Sequence, residues 1–189
     1  MSEADRERWD ARYARGGGPV QEPNPLLASL APFLRPVGRA LDVACGRGGN
    51  ALWLAAQGWH VEAVDLSPVA LNSLRQTAAE RGLAARVETL LADLDTWRPA
   101  TKRYDLVVLT WYLDPALWPS LLECVRPGGL LFVRTFSQGT QHILAPERIL
   151  RPGELLVRLA GWDWIAYRED SCHGDAAILA RAPRNGYGR

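Results

Sequence analysis

The sequence predicts an α/β fold, a parallel sheet covered on both faces by helices. Three observations predict it. Strand-length apolar runs such as Tyr104–Leu109 (YDLVVL) and Leu130–Thr135 (LLFVRT) lack the two-residue alternation of a half-solvated sheet. Stretches with helical spacing separate these runs, as crossover connections require. A glycine-rich turn, Cys45-Gly46-Arg47-Gly48-Gly49, leads from the first strand into the next helix.

The elements follow in chain order. Glu3–Ala14 reads as a helix with Trp9 and Tyr13 at i, i+4, ended by Gly16-Gly17-Gly18-Pro19. Asn24-Pro25 reads as an N-cap and first helical residue, with Leu26, Leu27, Leu30 and Phe33 as the apolar stripe and Pro36-Val37-Gly38 as the stop. Arg39–Val43 is the first strand, residues 49–57 a helix ended by Gly58, and His60–Val64 the second strand. Ser67-Pro68 caps a helix through Arg81, ended by Gly82. Arg86–Leu91 and Tyr104–Leu109 are the third and fourth strands. A helix over Pro115–Val125 and a turn at Pro127-Gly128-Gly129 precede the fifth strand, Leu130–Thr135. A short helix over Gly153–Ala160 precedes two closing strands, Trp162–Tyr167 and Ala176–Ala180.

Composition narrows the function. The 189 residues suit one domain with a modest extension. We expect a helical N-terminal segment over 1–36, a core over 37–182 and a mobile tail over 183–189. With 22 basic and 21 acidic residues the net charge is +1, which argues against a nucleic-acid or anionic-membrane partner. No apolar run approaches the roughly 18 residues of a membrane span. The charged N-terminus does not read as a secretory signal. Cys45, Cys124 and Cys172 are widely spaced and odd in number, which speaks against a disulfide framework or zinc site and for a reducing, cytoplasmic compartment.

The chemistry concentrates after the first strand. Gly46 and Gly48 allow backbone to approach a ligand closely. Asp65 follows Asp42 by 23 positions, at the end of the second strand, where a carboxylate can accept hydrogen bonds from both hydroxyls of a ribose. The pair predicts a nucleoside-bearing ligand at the carboxyl edge of the sheet. Gly46-x-Gly48-x-x-Ala51 also fits a relaxed dinucleotide fingerprint. However, Asp42 would repel a pyrophosphate seated at the helix start. It suits a cofactor with an amino group and a sulfonium, S-adenosylmethionine. A nicotinamide or flavin cofactor, or a fold without cofactor, stays open at this point.

These residues resemble the class I S-adenosylmethionine-dependent methyltransferases over roughly residues 9 to 182. Asp42-Val43-Ala44-Cys45-Gly46-Arg47-Gly48 looks like that family's first motif, Asp65-Leu66 like its ribose site, Ala92-Asp93-Leu94 like its adenine contacts, and Arg126-Pro127-Gly128-Gly129-Leu130 like the turn before its fifth strand. Trp9-Asp10-Ala11-Arg12-Tyr13, Glu22-Pro23 and Leu150-Arg151-Pro152-Gly153-Glu154-Leu155-Leu156 are similar to the small tellurite-resistance and thiopurine-type branch.

The resemblance implies a Rossmann-like three-layer sandwich with a seven-stranded, mostly parallel sheet whose last strand is antiparallel. It implies cofactor contacts from Trp9, Arg12, Asp42, Ala44, Cys45, Gly46, Gly48, Asn50, Asp65, Leu66, Asp93, Leu94 and Thr110. Arg12 would pair with the cofactor carboxylate, and the N-terminal helix would form a lid. The acceptor would be a small molecule with a soft sulfur, selenium or tellurium nucleophile, and S-adenosylhomocysteine the product. A larger metabolite such as a quinone or amine, or a non-catalytic cofactor-binding subunit, is the alternative.

No residue declares itself as the catalyst. Trp111 and Tyr112 follow the fourth strand, where aromatic faces can wall a cationic methyl group. Arg134 is a charge in an apolar strand, so it pairs either with an anionic substrate or with a neighbouring acid. His142 is a candidate base or substrate contact, whereas His60 and His173 read as structural and surface residues. The sequence leaves the oligomeric state open.

Overall fold

A computed structural model describes residues 3–16 and 22–184. Most of the expected mobile tail and the Gly17-Gly18-Pro19 stop signal lie outside the described residues. The chain gathers into two compact units, Met1–Arg98 and Pro99–Arg189.

In the first unit, α1 (Glu3–Ala14) carries Glu3 and Asp5 in its first turn and Arg12 in its last, the charge order a helix dipole favours. α2 (Pro25–Ser29) begins where expected, with the Asn24 side chain accepting the Leu26 N–H. It is shorter than expected. Pro32 cannot donate to the preceding turn, and a 3-10 turn over Ala31–Phe33 takes over. The stripe loses its phase there: Leu27 and Leu30 are buried, but Phe33 is 49% exposed. Strands β1 (Arg39–Val43), β2 (His60–Asp65) and β3 (Val87–Leu91) pair in parallel, with Arg39 opposite His60 and Val61 opposite Val87. Helices α3 (Gly49–Ala56) and α4 (Pro68–Glu80) pack on them. Ser67 caps α4 through the Ala70 N–H, and Ala70, Leu71, Leu74 and Ala78 form its buried stripe.

In the second unit, β4 (Tyr104–Thr110) pairs in parallel with β5 (Val125–Phe136). α5 spans Trp118–Cys124, starting three residues later than the sequence suggests. Asp114 sets that start: its side chain accepts the Ala116 N–H, and its carbonyl accepts those of Leu117 and Trp118. The expected turn at Pro127-Gly128-Gly129 is a bulge inside β5. Pairing jumps from Tyr104 opposite Val125 to Leu106 opposite Leu130, and Gly128 takes φ +78°. α6 (Glu154–Arg158) precedes β6 (Asp163–Asp170) and β7 (Asp175–Arg181), and β7 is antiparallel to both β5 and β6.

The seven-stranded sheet has the order β3-β2-β1-β4-β5-β7-β6. β1, β2, β4 and β7 are buried along nearly their whole length, which explains why they lack the polar alternation of a half-solvated sheet. β3 and β6 are half-exposed edge strands. Among the described residues no helix is long and apolar enough to cross a membrane.

Candidate functional site

The glycine turn is held by the residues around it. The Cys45 N–H donates to the Val64 carbonyl and the Gly48 N–H to the Cys45 carbonyl, so the turn curls over the end of β2. Ala44, Gly46 and Gly48 take positive φ of 54°, 54° and 79°. Gly48 caps α3 from this left-handed conformation. A Cβ on Gly48 would lie 2.3 Å from Leu74 Cδ1, and one on Gly46 would lie 2.8 Å from the Tyr13 hydroxyl. Both positions therefore need glycine for packing inside the protein as well as for turn geometry.

Two carboxylates sit at this turn with different surroundings. Asp65 accepts the Gly46 N–H at 2.8 Å and the Ser67 N–H at 2.9 Å. Burial pushes its pKa up, and these amides pull it back. Asp42 is fully buried, and neither of its oxygens makes a hydrogen bond of good geometry, although the Ala51 N–H and the Asn50 amide lie close by. Burial raises its pKa to about 7. The Ala51 N–H and the Asn50 amide lower it somewhat, and neighbouring Asp65 raises it. The Asn50 oxygen accepts the Asn24 N–H at 2.8 Å, so Asn50 links the start of α2 to the turn. The Cys45 thiol is pushed well above its ordinary pKa by burial and by both carboxylates, so it stays protonated at neutral pH.

α1 docks on the same turn. Its Tyr13 carbonyl accepts from Arg47 at 2.6 Å, Asp10 accepts the Ser67 hydroxyl, and Trp9 stacks on Tyr13 with centroids 5.8 Å apart. Burial and the charge of Asp65 push the Tyr13 phenol pKa up. Arg12 is exposed and lies over Trp9 at 5.3 Å. Leu66 is partly buried, and Leu94 is buried in the core. Asp93 follows β3 with partial exposure and accepts the Asp95 N–H at 2.9 Å. Sequence reasoning placed Trp9, Arg12, the turn and both carboxylates here. It missed Asp10, Arg47 and the second role of Ser67, although the Trp9–Tyr13 stripe marked the docked face.

A second group forms within the other unit, at the carboxyl ends of β4 and β5. Thr110 ends β4 opposite Arg134. Trp111 follows with φ +58°, a strained conformation for a bulky residue, and is 44% exposed. The Arg134 guanidinium lies 4.8 Å from the Trp111 ring centre, and its Nε donates to Asp175 at 2.7 Å. The neighbouring-acid reading of Arg134 therefore holds. Phe136 contacts Trp111 at 5.1 Å and His142 at 4.7 Å between ring centres. His142 is exposed. Arg148 lies 5.6 Å over the Tyr112 ring. Nothing in the sequence singled out Phe136 or Arg148. A cavity of about 250 Å³ lies at the opposite ends of these strands, lined by Lys102, Leu122, Val125 and Pro183, away from these groups.

The first site fits S-adenosylmethionine. A buried carboxylate with no well-aligned donor suits an ammonium group, and Asp65 has acceptor capacity left for two hydroxyls. A pyrophosphate beside Asp42 would meet like charge. A family model described as a methyltransferase domain matches residues 40–129. The thiopurine S-methyltransferase of Legionella pneumophila (strain Paris) is 27% identical over 158 residues, covering 72% of this chain and 72% of that protein. The probable thiol methyltransferase 2 of Arabidopsis thaliana is 30% identical over 146 residues, covering 72% of this chain and 64% of that protein. The crystal structure of TehB from Haemophilus influenzae superposes with a TM-score of 0.73 at 21% identity, covering 90% of this chain and 66% of that one.

Proposed function

We propose that this chain, a class I S-adenosylmethionine-dependent methyltransferase, delivers its methyl group to a soft nucleophile on a small molecule: a thiol, or its selenium or tellurium counterpart. The observation that carries this reading is the makeup of the second group. It offers aromatic faces and the Arg134 guanidinium, and its carboxylate, Asp175, is already held by that arginine. His142 is exposed and contacts Phe136. Such a group orients and shields a nucleophile better than it deprotonates one. A thiol ionises partly on its own near neutral pH, whereas an alcohol or ammonium group needs a strong base. Two relatives whose names specify sulfur acceptors support the same choice.

In this reading Asp42 neutralises the amino group of the cofactor, Asp65 takes the ribose hydroxyls and Asp93 faces the adenine. Bound S-adenosylmethionine supplies a methyl on a sulfonium, which departs as a neutral thioether and needs no proton. The protein's task is then alignment and exclusion of water. Trp111, Tyr112 and Phe136 are the residues suited to that task.

The test is methyl transfer from labelled S-adenosylmethionine to matched thiol, alcohol and amine acceptors on one scaffold. The thiol should exceed both others in kcat/KM by at least tenfold. Faster methylation of the amine or alcohol would overturn the assignment.

A further inference from the structure

Trp111 and Tyr112 are consecutive, and each carries a guanidinium over its ring, yet the two arginines differ. Arg134 is neutralised by Asp175 and tied to it through Nε. Arg148 is half-buried and lies over the Tyr112 ring, and among the described residues no side chain accepts a hydrogen bond from it or forms an ion pair with it. A position over a ring leaves the five guanidinium N–H donors in the plane of the group uncommitted.

The segment carrying Arg148 is fixed at its base. The Leu150 N–H donates to the Phe136 carbonyl and the Gln138 N–H to the Leu150 carbonyl, closing the loop directly beyond β5. A second contact fastens its near side to the β6–β7 turn. The Ser137 N–H donates to the Gly174 carbonyl, and a Cβ on Gly174 would lie 1.9 Å from the Thr140 nitrogen. Arg148 is therefore an oriented cation at the carboxyl ends of β4 and β5, the end where open α/β sheets bind their ligands. A planar fork held over a ring, with free donors, matches a carboxylate in bidentate geometry.

We propose that Arg148 is a specificity-determining residue that receives a carboxylate, or a similar oxyanion, borne by the methyl acceptor away from its nucleophilic atom. The proposal rests on the thiol reading above and narrows it to anionic thiols.

The experiment compares 4-mercaptobenzoate with 4-methylbenzenethiol in the wild type, Arg148→Gln and Arg148→Lys. Each thiol is compared with itself across variants, so differences in intrinsic reactivity cancel. Arg148→Gln should raise KM for 4-mercaptobenzoate at least tenfold. It should change KM for 4-methylbenzenethiol by less than twofold and leave S-adenosylhomocysteine affinity unchanged. Arg148→Lys should recover part of the loss. Equal effects on both thiols, or none on either, would overturn the role of Arg148 and leave the thiol reading standing. If the wild type methylates neither thiol, the thiol reading fails by itself. Calorimetry with benzoate on S-adenosylhomocysteine-saturated protein then decides on Arg148. Binding that Arg148→Gln abolishes supports the role, and benzoate binding that is absent or unchanged by the substitution refutes it.

Discussion

In the proposed reading, Asp42 is the residue whose protonation state matters most for the cofactor. An unfolded aspartate loses its proton near 3.8, and buried Asp42 holds its proton to about 7. The folded state thus binds more protons between those values, and Asp42 makes stability fall as pH rises from about 4 to about 7. The loss is roughly 4 kcal/mol at most, at 1.36 kcal/mol per pKa unit. Asp42→Asn removes this loss, so the cofactor-free variant should melt higher than the wild type at pH 8, with a smaller gap at pH 5. Cofactor binding should show the opposite preference, because only the ionised carboxylate pairs with an ammonium group. Wild-type Kd for S-adenosylhomocysteine should therefore weaken about tenfold from pH 7.5 to pH 6, as expected for one group titrating near 7. Asp42→Asn should bind more weakly and lose that pH dependence. Isothermal titration at both pH values checks this, and a pH-independent wild-type Kd would remove Asp42 from the amino-group site.

The element that makes the site more than a loop is α1. It buries no residue in the core and holds its exposed face with the Arg6–Glu3 and Arg8–Asp5 pairs. Such pairs are worth only about 0.3–0.5 kcal/mol each. It also contacts the turn, where its Tyr13 carbonyl accepts from Arg47, and the cap of α4, where its Asp10 accepts from Ser67. Deleting residues 1–20 should therefore weaken S-adenosylhomocysteine binding at least tenfold while lowering Tm by no more than a few degrees. A truncated protein with unchanged affinity would show that α1 is not a lid. Boundaries set by local chemistry were legible in the sequence: α1, the Asn24 and Ser67 caps, and β1 leading into the glycine turn. What depends on distant partners was not. The β5 bulge arises from pairing with β4, and the acid that holds Arg134 lies 41 positions away, brought close by the antiparallel register of β5 and β7. Gly48 was read as room for a ligand, whereas the atom nearest a Cβ there belongs to Leu74 on α4.

At the scale of the whole molecule, ligand binding and folding are linked, and that linkage separates the two cofactor chemistries the glycine turn admits. A ligand that binds only the folded chain adds about 2.7 kcal/mol at 100 times its Kd. For a protein of this length, at about 2–4 °C per kcal/mol, that is a Tm shift of about 5–11 °C. S-adenosylmethionine and S-adenosylhomocysteine share the amino group and ribose that the proposed reading assigns to Asp42 and Asp65. Both should raise Tm at pH 7.5. NADH brings a pyrophosphate to a turn where Asp42 is ionised above its pKa of about 7, so it should leave Tm unchanged. Asp42→Asn removes that negative charge, so the shift from the adenosyl ligands should shrink in the variant. These melting curves together test the charge argument. A variant that keeps the full shift would mean that the cofactor is held without its amino group meeting Asp42, and a shift with NADH would mean that the turn tolerates a phosphate beside a buried carboxylate.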